Sequence, residues 1–441
     1  MDTKLIIEFL VVLAAIAIGA RKSGVALGLW GGVGLFLLVV VFGVKPTSPP
    51  IDVMLIILAV IMAASVMEAA GGIDYLVRVA ERLIRSNPKQ VTIIAPLVTW
   101  TFTFLAGTGH IVYPLLPVIH EVARKAGIRP ERPMAIATIA SQQGITGSPV
   151  SAATAAMIGL FAEHGMNGWG LAQILMISVP STLIGVLFAA VLQTKVGKEL
   201  IDDPEYRALV ASGAIEPVDG AAAARPDLPN SAKYSAWIFL VGVAVVVLTG
   251  LFPQFRIPIG GKEAMGMPIV IEIVMMSIAA ILMILFDVKA DLVPRTATCR
   301  AGLVALVGIF GLAWLGDTFI AGNKEIIVGQ LSSMATAAPW TFSFGLFFAS
   351  VLLYSQAATA RALMPLGVTL GIAPAALIAM FPAVNGYFFI PTYGTLIAAI
   401  NFDRCGTTRI GRFVLNHSFM LPGLISTAAA VAVGLLIAHL I

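Results

Sequence analysis

The chain has little charge and few cysteines for its length. Of its 441 residues, only 11% are charged and 59% are hydrophobic, whereas soluble domains are about 25% charged and about 45–50% apolar. The low charge excludes a soluble globular protein and a disordered chain, and a cysteine count of 2 excludes a disulfide scaffold. The composition therefore predicts a membrane protein that uses the whole chain in one membrane domain.

Several functional motifs are also missing. The net charge is +4, but the basic residues lie in short loops rather than in patches interleaved with aromatics, so we expect no nucleic-acid partner. The sequence has no Walker motif, nucleophile elbow or paired carboxylates, which predicts that the protein is not an enzyme and has no catalytic residues. Cys299 and Cys405 match no metal or redox spacing. We therefore expect no metal site and no cofactor, apart from a coupling ion such as a proton or sodium.

Long apolar runs follow one another along the chain. Each is long enough to cross a bilayer, which takes about 20 helical residues. Two of them are interrupted by glycine, proline and polar residues, a pattern that is tolerated at membrane depth only where protein or a watery cavity covers the backbone. The runs are 5–20, 25–44, 51–69, 92–122, 134–162, 170–193, 234–252, 268–286, 301–321, 340–370, 373–400 and 413–441, and the interrupted ones are 92–122 and 340–370.

The distribution of lysine and arginine predicts the membrane topology, because cytoplasmic loops carry an excess of both. The run at 92–122 begins and ends beside basic, cytoplasmic segments, and the run at 340–370 begins and ends outside. Each is therefore predicted to be a re-entrant hairpin, and both termini are predicted to lie outside. The segments predicted to be cytoplasmic are 21–22, 78–89, 124–132, 195–233, 289–300 and 404–412.

The spans and hairpins fall into two similar halves. Each half has three spans, a hairpin and two further spans, and an odd number of crossings inverts the second half. We therefore predict an all-α polytopic membrane protein with about ten spans and two opposed re-entrant hairpins, built as an inverted-repeat secondary transporter. The first repeat is 1–193, with hairpin 92–122 and broken span 134–162; the cytoplasmic linker is 194–233; the second repeat is 234–441, with hairpin 340–370 and broken span 373–400.

Two amphipathic segments are predicted to lie on the membrane surface. Residues 73–86 have apolar side chains on one helical face and charged side chains on the other, which favours an interfacial helix on the inner leaflet. Residues 323–337 are its counterpart outside. An ordinary loop helix is the alternative for either segment.

The hairpins and the broken spans share polar motifs. The pattern Thr-x-His/Arg-x-x-x-Pro occurs at 108–114 and 359–365, and Gln/Asn-Gly-x-x-x-x-Pro occurs at 143–149 and 385–391. We expect each broken span to unwind from its glycine to its proline, which frees amide N–H groups for an anion and carbonyls for a cation. Helix packing through Ser and Thr is the alternative. The candidate substrate-binding residues are Thr108, His110, Ser141, Gln142, Gln143, Gly144, Thr146, Ser148, Ser355, Gln356, Thr359, Arg361, Asn385, Gly386 and Thr392.

Arg361 is the strongest of these candidates. An arginine at the bilayer centre costs about 2.5–3.5 kcal/mol on insertion scales, and no Asp or Glu lies in its hairpin. We hypothesise that its guanidinium binds a carboxylate of an anionic substrate. A structural pair with Asp317 or Glu68 is the alternative. His110, at the matching place in the first hairpin, is expected to bind a second carboxylate or carry a proton, with packing as its alternative.

Long and specific stretches of the sequence are similar to one bacterial family. They are Ile-Glu-Phe at 7–9, Gly-Leu-Trp-Gly-Gly at 28–32, Thr-Gly-His-Ile-Val-Tyr-Pro-Leu-Leu-Pro at 108–117, Ser-Gln-Gln-Gly-Ile-Thr-Gly-Ser-Pro-Val-Ser at 141–151, and Asn-Gly-Tyr-Phe at 385–388. Nearly end to end, the chain resembles the anaerobic four-carbon dicarboxylate (Dcu) transporter family. The resemblance implies exchange or uptake of fumarate, malate, succinate and aspartate at the bacterial inner membrane, with both termini in the periplasm. By analogy, it also implies an elevator motion.

The sequence thus predicts a multi-pass secondary transporter for four-carbon dicarboxylates that works by exchange or by ion-coupled uptake. The expected partners are a small dicarboxylate and the lipid membrane, and the oligomeric state is left open, with a homodimer as one option. One alternative is a sodium or oxyanion carrier of similar architecture. The other is a membrane sensor or channel, although the pore-lining charge ring or filter repeat of a channel is not seen.

Overall fold

The protein is helical throughout in the computed structural model, apart from one pair of two-residue strands among the residues described. Those residues are 3–22, 24–166, 168–213, 227–256, 258–259, 263–326, 337–353, 355–391, 393–411 and 413–441.

The part before the linker contributes nine helices and the linker a tenth. They are α1 (Thr3–Lys22), α2 (Ala26–Val40), α3 (Ile51–Ala69), α4 (Gly72–Ser86), α5 (Val91–Ala106), α6 (Val112–Lys125), α7 (Glu131–Gly147), α8 (Ala152–Glu163), α9 (Leu171–Gln193) and α10 (Pro204–Ala211). Short 3₁₀ turns lie at Pro88–Gln90, Gly109–Ile111 and Leu200–Asp202.

The part after the linker is described in the same way. Its helices are α11 (Asn230–Leu251), α12 (Met267–Leu285), α13 (Ala297–Gly308), α14 (Trp314–Gly322), α15 (Phe342–Leu353), α16 (Gln356–Thr369), α17 (Pro374–Met380), α18 (Gly394–Phe402) and α19 (Met420–Leu440). A π-helical turn, Ile309–Ala313, joins α13 to α14. The 3₁₀ segments are Pro253–Phe255, Val293–Arg295, Pro339–Thr341 and Phe381–Phe388, and β1 (Pro258–Ile259) pairs antiparallel with β2 (Glu263–Ala264).

Within the described chain, 7 helical segments are long and apolar enough to cross a membrane. This confirms the all-α polytopic prediction, whereas the inverted repeats and the count of about ten spans stay predictions. Burial separates the centre of the molecule from its lipid-facing rim: 83% of the most apolar stretch of α7–α8 is buried, against 28% of that of α12. The segments are Ile51–Ala69, Glu131–Glu163, Leu171–Gln193, Asn230–Leu251, Met267–Leu285, Ala297–Gly322 and Met420–Leu440.

The run at 92–122 is two helices, α5 and α6, joined at a sharp turn. Gly107 ends α5 with φ at 71°, in the left-handed region that favours glycine. A Cβ at this position would also lie 2.6 Å from the carbonyl oxygen of Val150, so the turn packs directly on the break between α7 and α8. Thr108 is extended, and the chain becomes helical again at Gly109.

The first broken span is interrupted later than expected. α7 continues to Gly147, so Gly144 lies in continuous helix, and the prediction that the helix unwinds from this glycine is wrong. The break follows from Pro149, because the residue before a proline disfavours helical geometry, and Ser148 is extended. Gly144 instead serves packing, since a Cβ there would lie 2.8 Å from the carbonyl oxygen of Trp100 on α5.

The second broken span follows the prediction more closely. α17 passes into the 3₁₀ segment Phe381–Phe388, inside which Asn385 leaves helical geometry, and α18 begins at Gly394. Gly386 thus lies at the end of the helical stretch. A Cβ on it would lie 2.5 Å from the carbonyl oxygen of Phe347 on α15. The two motif glycines therefore meet the carbonyls of the helices that precede each hairpin turn.

The amphipathic segment at 73–86 is helical but its apolar face meets protein. Leu76, Val77, Ala80 and Ile84 are buried, and α4 packs against α5, α6 and α11. This face therefore packs on protein, apart from the exposed Leu83, and the place of α4 on the inner leaflet stays a prediction. Of the second amphipathic segment, residues 327–336 lie outside the described residues.

The start of the linker is tied to the first half by ion pairs. Arg129 is buried between α6 and α7 and pairs with Asp203. Arg132 Nη1 lies 3.0 Å from Glu199 Oε1. The sequence predicts these arginines as loop charges that mark the cytoplasmic side, and in the structure they also hold 199–203 in place.

Candidate functional site

A cavity of about 860 Å³ lies where the turns of both predicted hairpins approach α7. The α5–α6 turn and the start of α16 form one part of its wall, and the first turns of α13 form another. The cavity is large enough for a small organic acid with water. The predicted site residues that line it are Thr108, His110, Gln142, Ser355 and Gln356.

In each predicted hairpin, a helix begins at this cavity. The hydroxyl of Thr108 accepts a hydrogen bond from the backbone N–H of His110 at 3.3 Å, and that of Ser355 accepts one from Ala358 N–H at 3.2 Å. Both residues are N-caps, which leave the other first-turn N–H groups free for a ligand. Helix N-termini carry a partial positive charge of about half a unit, so both hairpins present positive ends to the cavity.

The ionisable side chains that line the cavity are Arg300, His110 and Tyr393, and its described lining residues include no Asp or Glu. Arg300 is exposed on the first turn of α13, and its guanidinium makes no hydrogen bond or ion pair with the described residues. The ring of His110 packs beside that of Tyr113, with centroids 5.8 Å apart. The lining side chains are therefore cationic, and the carboxylate of Glu68, just behind the lining, acts on His110.

Glu68 positions the helix that carries Arg300. Its two carboxylate oxygens accept hydrogen bonds from the backbone N–H groups of Ala297 and Thr298 at 2.9 and 3.0 Å. A carboxylate at a helix N-terminus is favoured by the helix dipole. The alternative that Glu68 pairs with Arg361 is therefore wrong.

A chain of buried side-chain amides connects the two halves behind the cavity. Gln356 Nε2 donates to Gln142 Oε1 at 2.8 Å and to Asn385 Oδ1 at 3.2 Å. Asn385 Nδ2 donates to Gln143 Oε1 at 3.2 Å and to Thr146 at 3.3 Å. Buried polar groups stay in an apolar interior when they satisfy one another. Substrate that reaches Gln142 or Gln356 would therefore touch a network spanning α7, α16 and the second broken span.

Arg361 is not among the residues that line the cavity, and it is paired with carboxylates. It is 1% exposed, and its guanidinium lies 2.8 Å from a carboxylate oxygen of Glu163 and 3.1 Å from one of Asp317. The alternative of a pair with Asp317 is thus the arrangement found, with Glu163 as a second partner. One cation between two carboxylates leaves no positive charge for a substrate.

Three other predicted residues donate hydrogen bonds to backbone carbonyls. Ser148 donates to Phe104 O, Thr359 to Ser355 O and Ser141 to Thr138 O, each at 2.7 Å. These bonds to backbone carbonyls fit the packing alternative. Gly144 and Gly386 allow close helix packing, as described above, and Thr392 lies outside the described residues.

Sequence reasoning missed Arg300 and Glu163. The sequence predicts Arg300 only as one of several basic residues at 289–300 that mark the cytoplasmic side. Its place at the start of an apolar run, 301–321, is the signal that could have set it apart. Glu163 ends α8 next to a predicted outer loop. A carboxylate is common at such a place, so the sequence gives no sign that it pairs with Arg361.

The family model and the curated relatives agree on one family. The family model for "Anaerobic c4-dicarboxylate membrane transporter" matches residues 4–441. The chain is 42% identical over 433 residues to the anaerobic C4-dicarboxylate transporter DcuB of Escherichia coli O6:H1, covering 97% of each chain. It is 42% identical to the C4-dicarboxylate transporter DcuA of Wolinella succinogenes, covering 99% of this chain and 100% of the other. Among solved structures, the YdaH transporter of Alcanivorax borkumensis is similar in fold, with a TM-score of 0.58 at 17% identity, covering 92% of this chain and 88% of that one.

Proposed function

We propose, because this chain belongs to the anaerobic C4-dicarboxylate membrane transporter family, that it carries four-carbon dicarboxylates such as fumarate, succinate, malate and aspartate across the bacterial inner membrane. The family is one of transporters, not of enzymes. The resemblance noted in the sequence is thereby confirmed, and it disfavours a sodium carrier, a sensor or a channel.

The observation that carries this proposal is the charge of the cavity. Its wall combines the guanidinium of Arg300, the imidazole of His110 and two helix N-termini, and its described lining residues include no carboxylate. Burying an uncompensated carboxylate is expensive, so a dianion needs positive groups at both ends. One carboxylate would bind the planar fork of Arg300 in a bidentate way. The other would accept N–H bonds at a hairpin turn.

Selectivity for a short diacid follows from the neutral amides. Gln142 and Gln356 line the cavity and are also fixed by their hydrogen bonds to the network behind it. Amides held in this way can donate to a carboxylate or a hydroxyl without rearranging. A monocarboxylate would leave one positive end unpaired and would bind more weakly.

The cavity would open towards the cytoplasm. Gly24 and the segment 297–300 line it, and both lie at loops that the positive-inside pattern assigns to the cytoplasmic side. The structure would then represent an inward-facing state, with both termini in the periplasm. Exchange or ion-coupled uptake would proceed by turning the same cavity outward.

The test of function is uptake into proteoliposomes that contain the purified full chain. We expect labelled succinate to accumulate, unlabelled fumarate to compete, and lactate to compete poorly. Preloading with fumarate should accelerate uptake if the protein exchanges, whereas a proton or sodium gradient should accelerate it if uptake is ion-coupled. A sodium flux without succinate uptake would contradict the proposal.

The test of topology is labelling of single cysteines by an impermeant maleimide on intact cells. Lys125 is exposed at the end of α6, and Ala373 is exposed just before α17. We expect Lys125→Cys to be labelled only after the cytoplasm is opened and Ala373→Cys to be labelled in intact cells. Labelling of both from one side would contradict the opposed hairpins. The parent for both variants would replace the native Cys299 and Cys405 with serine.

A further inference from the structure

A second group of reactive side chains lies away from the cavity. His120 on α6 faces Asp403 and Cys405 in the loop after α18, and all three residues are buried. An imidazole nitrogen, a carboxylate oxygen and the thiol sulfur lie within 4.8 Å of one another. The Sγ atom of Cys405 is 3.9 Å from Nε2 of His120, across a sequence separation of 285 residues. Transport through the cavity uses none of these groups.

The imidazole of His120 is poorly satisfied by the protein around it. Its Nδ1 atom is buried without a hydrogen-bond partner among the described residues. Its Nε2 atom has the thiol sulfur of Cys405 at 3.9 Å, which is a weak partner at best. Nε2 is the ring atom that faces Cys405, and because it has no strong hydrogen-bond partner it is available to a ligand.

The carboxylate of Asp403 is held in place with one oxygen partly free. Oδ2 accepts hydrogen bonds from the Thr407 hydroxyl at 2.6 Å and from the Thr408 N–H. Oδ1 accepts one, from the Cys405 N–H at 2.9 Å. Since each carboxylate oxygen can accept two, Oδ1 retains a lone pair. Hydrogen bonds that orient a carboxylate in this way are typical of the surroundings of metal ligands.

We propose that His120, Asp403 and Cys405 bind a zinc ion, with water as the fourth ligand. Nitrogen, sulfur and oxygen donors in one tetrahedral set suit Zn²⁺ better than Mg²⁺ or Ca²⁺, which take oxygen ligands. Thiolate and carboxylate together balance the charge of the ion. On binding, the thiol loses its proton to solvent as the zinc–sulfur bond forms.

The geometry needs only a small closure. Zinc–ligand bonds of about 2.0–2.3 Å place tetrahedral ligand atoms about 3.3–3.7 Å apart, so the widest pair would move together by about 1 Å. Arg124, Arg404 and Glu121 are the charged neighbours that act on the imidazole. The ion would tie α6, the second arm of the first hairpin, to the loop between α18 and α19.

The experiment uses the full chain in detergent with its affinity tag removed. Equilibrium dialysis against zinc, followed by elemental analysis, should give one zinc per chain. Dialysis against cobalt should give a sulfur-to-cobalt charge-transfer absorption, which reports a thiolate ligand directly. Wild-type protein that binds no zinc, or cobalt-loaded protein without this absorption, would overturn the proposal.

Three variants and a control locate the ion. Cys405→Ser should abolish the charge-transfer absorption, and His120→Asn should weaken zinc binding at least tenfold. Asp403→Asn keeps one oxygen, which can accept the hydrogen bonds from Thr407 and Thr408, but it loses the charge. It should also weaken binding at least tenfold if the residue is a ligand. Cys299→Ser, which removes the other buried cysteine, should change nothing. An absorption that survives Cys405→Ser or disappears in Cys299→Ser would place the ion elsewhere and overturn the proposal.

Discussion

Arg300 and Arg361 lie in the same half of the chain but in opposite electrostatic settings. Arg361 is buried between the carboxylates of Glu163 and Asp317, and this trio has a formal charge of −1. Arg300 is exposed on a cavity wall whose described residues carry no carboxylate. An arginine in an apolar hairpin therefore does not identify a substrate site by itself. What identifies one is a positive charge that the protein has left uncompensated.

The largest expected effect is that of Arg300→Gln. If this guanidinium holds a substrate carboxylate, its loss removes a charge-assisted hydrogen-bonded pair worth about 1.5–3 kcal/mol. That corresponds to about a 10- to 150-fold weaker apparent affinity for succinate, at about 1.4 kcal/mol per tenfold change. Uptake in proteoliposomes measures the affinity. The melting temperature should stay within a degree or two, because Arg300 has no side-chain partner among the described residues to leave unpaired.

Arg295→Gln is the matched control for this prediction. Arg295 belongs to the same basic segment and is also exposed. It does not line the cavity, and it forms an ion pair with Asp291, four residues earlier. Removing it should leave succinate affinity unchanged. Equal losses in both variants would mean that the segment acts through general charge or insertion, and not through a contact at the cavity.

Arg361→Gln should lower the free energy of unfolding and leave the affinity for succinate nearly unchanged. The substitution leaves two carboxylates without their shared cation, which is strongly destabilising when a pair is fully buried. Glu163 and Asp317 retain 29% and 18% side-chain exposure, so we expect about 1–3 kcal/mol after allowance for solvent screening. Thermal unfolding in detergent measures this loss, and folded protein should bind succinate with near wild-type affinity.

Neutralising the carboxylates tests the cause of that loss. In the Arg361→Gln background, Asp317→Asn combined with Glu163→Gln should recover part of the stability, because no unpaired charge remains. A large loss of succinate affinity in folded Arg361→Gln protein, with no recovery in the combined variant, would restore the hypothesis that Arg361 binds substrate.

The features that the sequence could predict depend on residues close together in the chain. The hairpin turns follow from local Gly and N-cap chemistry at 107–109 and at Ser355, and the first helix break follows from Pro149. The sequence predicts Thr108, His110, Ser355, Gln356 and Thr359 as site residues because they are polar residues at the hairpin tips. All of them except Thr359 line the cavity. Local chemistry therefore located the cavity.

The features that the sequence could not predict are long-range pairings. Of the two partners of Arg361, Asp317 lies 44 residues away and is predicted only as an alternative. Glu163 lies 198 residues away, and no inspection of the hairpin could find it. The role of Gly144 was mistaken for the same reason, because its close neighbour is the Trp100 carbonyl on another helix. Charge and packing between distant elements decide whether a polar residue binds a ligand or another side chain.

The smallest expected effect is that of His110→Gln, and it depends on pH. His110 lines the same cavity as Arg300, so protonation of its imidazole would add a second positive charge beside a bound dianion. Binding of fumarate, which stays dianionic between pH 6 and 7, should therefore tighten as pH falls, since protonation and anion binding favour each other. His110→Gln should weaken binding about two- to threefold at pH 7, more at pH 6, and flatten the pH dependence. His439→Gln, an exposed histidine at the end of α19, should leave the profile unchanged. A profile that keeps its slope in His110→Gln would show that the imidazole packs against Tyr113 as a neutral ring and that Arg300 and the helix N-termini hold the dianion without it.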